Sequence, residues 1–186
     1  NGCLTLKNVS KNYNNFLAIN NYTGNMFKNN IFVILGENGA GKSTLLKILS
    51  GNIREDKGGI IQFENHSLVD DRDYLYQNLG SCSQENIYES SFTVFEQLNM
   101  IHDFLLSLGD KDIYEPLELI NRLGLTDYKD KYPSELPKSQ LRLLSISLAL
   151  IGKRKIIILD EPSSGVDEEI KTQFWTTLKE LRQGKI

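Results

Sequence analysis

The sequence has 186 residues, with 21 lysines and arginines against 24 aspartates and glutamates, and 40% of it is hydrophobic. That length suits one domain able to bury roughly two thirds of its unfolded surface, and a net charge of −3 argues against a protein that works by neutralising nucleic-acid phosphates. No apolar run approaches the ~20 residues of a membrane-spanning helix, and no basic-then-apolar leader opens the sequence.

Asn1 stands where an initiator methionine would, so the sequence reads as a piece of something longer. Cys3–Val9 alternates as a half-buried strand does. The stretch from Tyr13 to Asn30, rich in Asn and Gly, predicts short antiparallel strands with turns at Asn20-Asn21 and Asn29-Asn30. Ile31–Leu35 is a continuous apolar block of the kind found in a strand buried on both faces. A helix is expected over Thr44–Leu49, closed by Gly51. Ile60, Ile61 and Phe63 mark a hairpin-like segment, followed by polar residues and a short strand near Leu79–Cys82. Cys3 and Cys82 are too few and scattered for a disulfide framework and read as reduced thiols of a cytosolic setting.

From Thr93 to Gly152 the pattern is helical. Thr93-x-x-Glu96 is a capping box ahead of Leu98, Ile101, Leu105 and Leu108. Further helices are expected over Ile113–Leu123 and Ser139–Ile151, closed by Gly124 and Gly152. Lys155–Leu159 forms a second buried-strand block, and a last helix covers about Glu168 to Arg182. Strands alternating with helices imply an α/β fold with a parallel core and an inserted helical patch.

Two motifs carry chemistry. Gly36-Glu37-Asn38-Gly39-Ala40-Gly41-Lys42-Ser43-Thr44 fits the phosphate-binding loop G-x-x-x-x-G-K-[ST]. Glycines let the backbone aim successive N–H groups at phosphate oxygens. Lys42 supplies a point charge, Ser43 a hydroxyl for magnesium, and the helix that follows a favourable N-terminus for the anion. Ile156-Ile157-Ile158-Leu159-Asp160-Glu161 is an apolar strand ending in two carboxylates. Asp160 is placed to hold water of a magnesium shell, and Glu161 to polarise an attacking water.

With these motifs in order, the chain resembles the nucleotide-binding domain of ATP-binding cassette (ABC) proteins over nearly its whole length. The resemblance implies a P-loop NTPase of RecA-like type: a parallel-sheet core, an antiparallel β subdomain and a helical insert. It implies one domain over 1–186, with core and β subdomain over about 1–89 and 153–186 and a helical subdomain over about 90–152. Tyr13, in Lys11-Asn12-Tyr13, matches the aromatic that stacks on adenine. Gln84, in Cys82-Ser83-Gln84-Glu85-Asn86, matches the glutamine that contacts magnesium and couples to membrane domains. Ser163-Ser164-Gly165-Val166-Asp167 matches the D-loop, a dimer contact. ATP and Mg2+ are the implied cofactors, with Glu161 and Lys42 catalytic.

The pattern breaks at the signature L-S-G-G-Q, where this chain has Leu136-Pro137-Lys138-Ser139-Gln140. In the family two such domains stack head to tail, and each signature closes over the nucleotide held by the other. Pro137 has neither hydroxyl nor N–H, and side chains at 138 and 139 push the backbone away from a phosphate. The expectation is a weakly hydrolysing composite site paired with a competent one built from this chain's own Walker residues. The family's switch histidine belongs on a strand beginning near Gly184-Lys185-Ile186, and neither His66 nor His102 is placed to substitute. The isolated piece is therefore expected to bind ATP and turn it over slowly.

The runs Leu144–Gly152, 82–86 and 163–167 look most like the ABCA subfamily of exporters, whose members often move lipids. The expected partners are a second nucleotide-binding domain on the same polypeptide and transmembrane domains, without nucleic acid, at the cytoplasmic face of a membrane. Two other readings remain open: a nucleotide-gated clamp with little hydrolysis, and a soluble ABC ATPase outside transport.

Overall fold

A computed structural model describes residues 3–56, 58–68 and 70–183. The expected strand start at Gly184-Lys185-Ile186 lies outside the described residues. The chain divides into two compact units, one running to Leu79 and the other from Gly80 to Leu181.

In the first unit, β1 (Cys3–Tyr13) and β2 (Phe16–Phe27) form a long antiparallel hairpin. β3 (Ile60–Phe63) pairs with β1, and β4 (His66–Ser67) with β3, giving the order β2-β1-β3-β4. Leu4, Leu6, Ile61 and Phe63 interleave across this sheet and are almost fully buried. β2 packs on α1 (Lys42–Leu49), which buries Leu45, Ile48 and Leu49. α2 (Arg72–Asn78) then leads out of the unit, its first turn capped by the Asp71 carboxylate accepting from Tyr74 N–H.

Three expectations are corrected here. Asn20-Asn21 is not a turn: both residues lie within β2, and Asn21 has φ 48°, with the register slipping between Val9↔Tyr22 and Lys11↔Ile19. Asparagine tolerates the left-handed region, so the same residue serves a turn or a bulge. The hairpin turns instead at Asn14-Asn15. Ile31–Leu35 is not a strand buried on both faces, since no ladder pairs it among the described residues and Val33 and Leu35 are 65% and 86% exposed. Its composition is that of a sheet centre, but a strand exists only where neighbouring strands accept its hydrogen bonds. The polar stretch after the hairpin holds the helix α2, too short to show a helical period.

The second unit opens with β5 (Leu79–Cys82), the two-stranded partner of β6 (Ile156–Leu159). Asp160 N–H donates to Cys82 C=O (2.9 Å), so the two carboxyl ends lie together and the strands run the same way. Between them come α3 (Val94–Ser107), α4 (Pro116–Arg122) and α5 (Lys138–Leu150), with 3-10 turns at Thr126–Tyr128 and Pro133–Glu135. The capping box at Thr93 and Glu96 forms as expected. α4 begins later than expected because Pro116, lacking an N–H, fits a first turn and not a helix interior. α6 (Glu168–Leu181) closes the unit and sets Phe174, Leu178 and Leu181 into one core with Leu98, Leu119 and Leu144. None of the helices is long and apolar enough to cross a membrane among the described residues.

Candidate functional site

Each unit carries part of the chemistry. In the first, the phosphate-binding motif lies on the loop entering α1. Gly39 and Gly41 have φ 84° and 87°, a region open to glycine at no steric cost. At Gly41 a Cβ would also run into the Ala18 carbonyl oxygen of β2. The loop therefore packs onto the sheet through a position only glycine fills. Ala40 N–H closes the turn on Glu37 C=O (3.2 Å). Lys42 Nζ lies back along the loop, donating to the carbonyls of Gly36 (2.8 Å) and Glu37 (2.9 Å). α1 has no side-chain cap and no acidic residue in its first turn, so its free N–H groups and positive dipole end are not countered locally. Ser43 and Thr44 occupy that first turn, while Gly36, Glu37, Asn38, Gly39 and Ala40 are solvent-exposed. Tyr13 sits exposed at the hairpin end, paired with Phe16, with Lys11 Nζ 5.6 Å from its ring centroid.

The second unit brings Gln84 and Glu161 together. Gln84 follows β5 and Glu161 follows β6, and Gln84 Nε2 donates to Glu161 Oε2 at 3.1 Å. Glu161 has φ 47°, a left-handed conformation that costs a non-glycine residue about 1–2 kcal/mol. The neighbouring peptides hold it there. Asp160 N–H is anchored on Cys82, and Ser164 N–H donates back to Glu161 C=O at 3.0 Å. Cys82 itself is buried, which pushes its thiol above the ordinary value, with the Arg142 charge opposing and Asp160 reinforcing that rise.

α5 begins in the degenerate signature. Leu136 is buried, while Pro137 and Lys138 are exposed. Ser139 is turned inward: its Oγ donates to Asp167 Oδ2 at 2.7 Å and accepts from Asp167 N–H at 3.1 Å. Two residues that the motif reading left out sit further along this face. Arg142 is 3% exposed and Ser145 4%; Arg142 reaches backbone atoms of the loops after both β5 and β6, and Ser145 those of the loop after β5. A single charge in the otherwise uncharged run Leu141–Leu150 was the visible hint of Arg142; the left-handed backbone at Glu161 left no trace in the sequence.

Residues 19–164 match the family model described as ABC transporter. The chain belongs to the ABC transporter family. Human glucosylceramide transporter ABCA12 is 35% identical over 98% of this chain, and Dictyostelium discoideum ABC transporter A family member 11 is 32% identical over 85%. The chain spans only 7% and 19% of those two relatives. Among solved structures, MJ1267, an ATP-binding cassette of an ABC transporter, superposes with TM-score 0.76 at 26% identity, covering 98% of this chain and 78% of that one. The ATP-binding cassette MJ0796, in a dimeric state bound to ADP and Pi, has the same fold at TM-score 0.82 and 23% identity, covering 96% of this chain and 82% of that one. The fold is thus the P-loop NTPase fold of ABC ATPase domains, and the similar sequences are members of the ABCA subfamily.

Proposed function

We propose that residues 1–186 make up one nucleotide-binding domain of an ABCA-like membrane transporter, which binds ATP with Mg2+ and hydrolyses it to drive closure against a second such domain. In this reading about 1–89 and 153–186 are core and β subdomain, and about 90–152 the helical subdomain that meets the membrane domains. The second nucleotide-binding domain belongs to the same polypeptide, and both work at the cytoplasmic face. Lipid cargo is proposed on the likeness to a glucosylceramide transporter.

The residues present suit both ligands. The glycine-built loop and uncapped α1 offer N–H groups to phosphate oxygens from Gly36 to Thr44, with Lys42 adding a cation and the Tyr13 ring a stacking face for adenine. Ser43 hydroxyl, Asp160 carboxylate and Gln84 amide oxygen are the hard oxygen donors that magnesium prefers, and they would hold it. Bound there, the cation would neutralise charge on the terminal phosphates. Glu161 accepts a proton from the attacking water as that oxygen bonds to the γ-phosphorus and the bridge to the β-phosphate breaks, leaving ADP and inorganic phosphate.

One observation carries the hydrolytic reading: the Glu161 carboxylate at the end of β6, held in a costly backbone conformation and hydrogen-bonded to Gln84. Strain of that kind concentrates at working sites. A second reading, a nucleotide-gated clamp with little turnover, draws on the signature, where Pro137 replaces a hydroxyl and Ser139 faces Asp167. Leu136, Pro137, Lys138, Ser139 and Gln140 would then give the partner's nucleotide a weak cover, leaving the composite site they complete slow.

The deciding experiment is steady-state ATP turnover of the full-length protein with and without Glu161→Gln. A fall of roughly 100-fold or more, with nucleotide binding kept, is expected for a general base. Turnover already negligible in the wild type and unchanged in the variant would favour the clamp.

A further inference from the structure

We propose that Arg142 is a positioning residue for ATP hydrolysis, holding Glu161 and Gln84 in their working arrangement from the helix that begins in the signature. The inference rests on Glu161 acting as the base. Six acceptors surround the buried Arg142 guanidinium. Nη1 donates to the carbonyls of Ser83 (2.7 Å) and Gln84 (3.2 Å) and to Asn86 Oδ1 (3.3 Å). Nη2 donates to the carbonyls of Asp160 (2.5 Å) and Glu161 (3.2 Å), and Nε to that of Pro162 (3.4 Å). All six acceptors are uncharged.

A desolvated cation hydrogen-bonded, among the described residues, to oriented carbonyl dipoles fixes those dipoles as firmly as they fix it. Both peptides that define the Glu161 conformation, at 160 and 161, end on this one group. So does the Gln84 carbonyl, whose side chain meets the Glu161 carboxylate. Arginine suits the task because its planar fork spreads donors along two loops, whereas a lysine ammonium concentrates them at one point.

The placement along α5 gives the group something to transmit. Ser139, Arg142 and Ser145 lie at i, i+3 and i+6, on one face of the helix. Ser139 bonds Asp167, Arg142 the ends of both strands, and Ser145 the N–H and C=O of Ile87 (3.0 and 3.2 Å). Every displacement of the signature end of α5 is therefore delivered to Glu161 and Gln84 as a displacement of their own backbone.

The test uses the full-length protein and Arg142→Lys, which keeps the charge and loses the fork. The expected result is a kcat lower by on the order of 10- to 100-fold, the size of effect that misplaced reacting groups produce, with KM and equilibrium MgATP binding within about twofold. The double variant with Glu161→Gln is expected to be no slower than Glu161→Gln alone, since a group acting through Glu161 has nothing left to position. An undiminished kcat, a parallel loss of nucleotide binding, or losses that multiply in the double variant would overturn the inference. If Glu161→Gln alone keeps full turnover, the hydrolytic reading falls and this inference with it; if only Arg142→Lys is fully active, this inference falls alone. Should Arg142→Lys not assemble, Asn86→Ala decides. A kcat reduced about two- to threefold with binding intact supports the role, and an unchanged kcat overturns it.

Discussion

Gly39 and Gly41 share almost the same backbone angle, yet they are not equivalent. Open space surrounds Gly39, while a Cβ at Gly41 would meet the Ala18 carbonyl of β2. Gly39→Ala should therefore cost only the left-handed strain, about 1–2 kcal/mol, and leave the loop in place. Gly41→Ala adds a backbone collision that only movement of the loop relieves. The expected outcome is loss of MgATP binding with Gly41→Ala but not with Gly39→Ala. Equilibrium binding and thermal unfolding of the pair check this, with each 1 kcal/mol moving Tm by about 2–4 °C at this chain length. The regular spacing made both glycines visible as phosphate-loop residues, but which of them touches β2 depends on contacts that spacing does not encode. Asn8, Asn14, Asn21, Asn29 and Asn65 also take positive φ, and there sequence reading fails in a specific way. One residue type supplies turns and bulges alike, so Asn20-Asn21 and Asn14-Asn15 read the same and fold differently.

At the scale of elements, α3 is the clearest case of local chemistry deciding structure. Thr93 Oγ1 accepts from Glu96 N–H (3.3 Å), and Glu96 Oε2 accepts in return from Thr93 N–H (2.8 Å). Thr93→Ala is expected to cost about 1 kcal/mol, measured as a lower urea midpoint and faster amide exchange in the first turn of α3. The backbone hydrogen bond from Thr93, followed by the threonine side chain, holds the Glu96 carboxyl below its ordinary value. A depressed acid contributes stability above its unfolded pKa and loses it as pH falls through the folded one. The Thr93→Ala difference should therefore shrink in acid. Elements of this kind, with their signals inside one segment, were legible: α1, α3, α5, α6, β3, β5 and β6 all form close to where the pattern put them. Ile31–Leu35 was not, because strand formation needs partners elsewhere in the chain. α2 was missed because seven residues hold barely two turns.

On the scale of the whole molecule, two buried acids set an alkaline limit. Burial raises the Cys82 thiol and the Tyr114 phenol above their ordinary values. Above roughly pH 8.5 for a thiol and 10 for a phenol, the unfolded chain releases protons that the folded chain keeps. The unfolded state then binds fewer protons, so stability present below those values is lost as pH rises. Urea unfolding between about pH 7.5 and 10.5 should show a falling midpoint, flattened at its lower end by Cys82→Ala and at its upper end by Tyr114→Phe. Equal slopes in all three proteins would refute that assignment.

Arg142 and Ser145 grip main-chain atoms almost exclusively: carbonyls at 83, 84, 87, 160, 161 and 162 and the N–H of Ile87. Every residue has such atoms, so the grip is blind to the side chains of the loops it holds. Substitutions at Ser83, Ile87 or Pro162 leave its acceptors in place, and mutational tolerance there sits beside intolerance at one arginine. The loops are thus free to diverge while the arrangement of Glu161 and Gln84 is specified from a helix more than 50 residues from one and about 20 from the other.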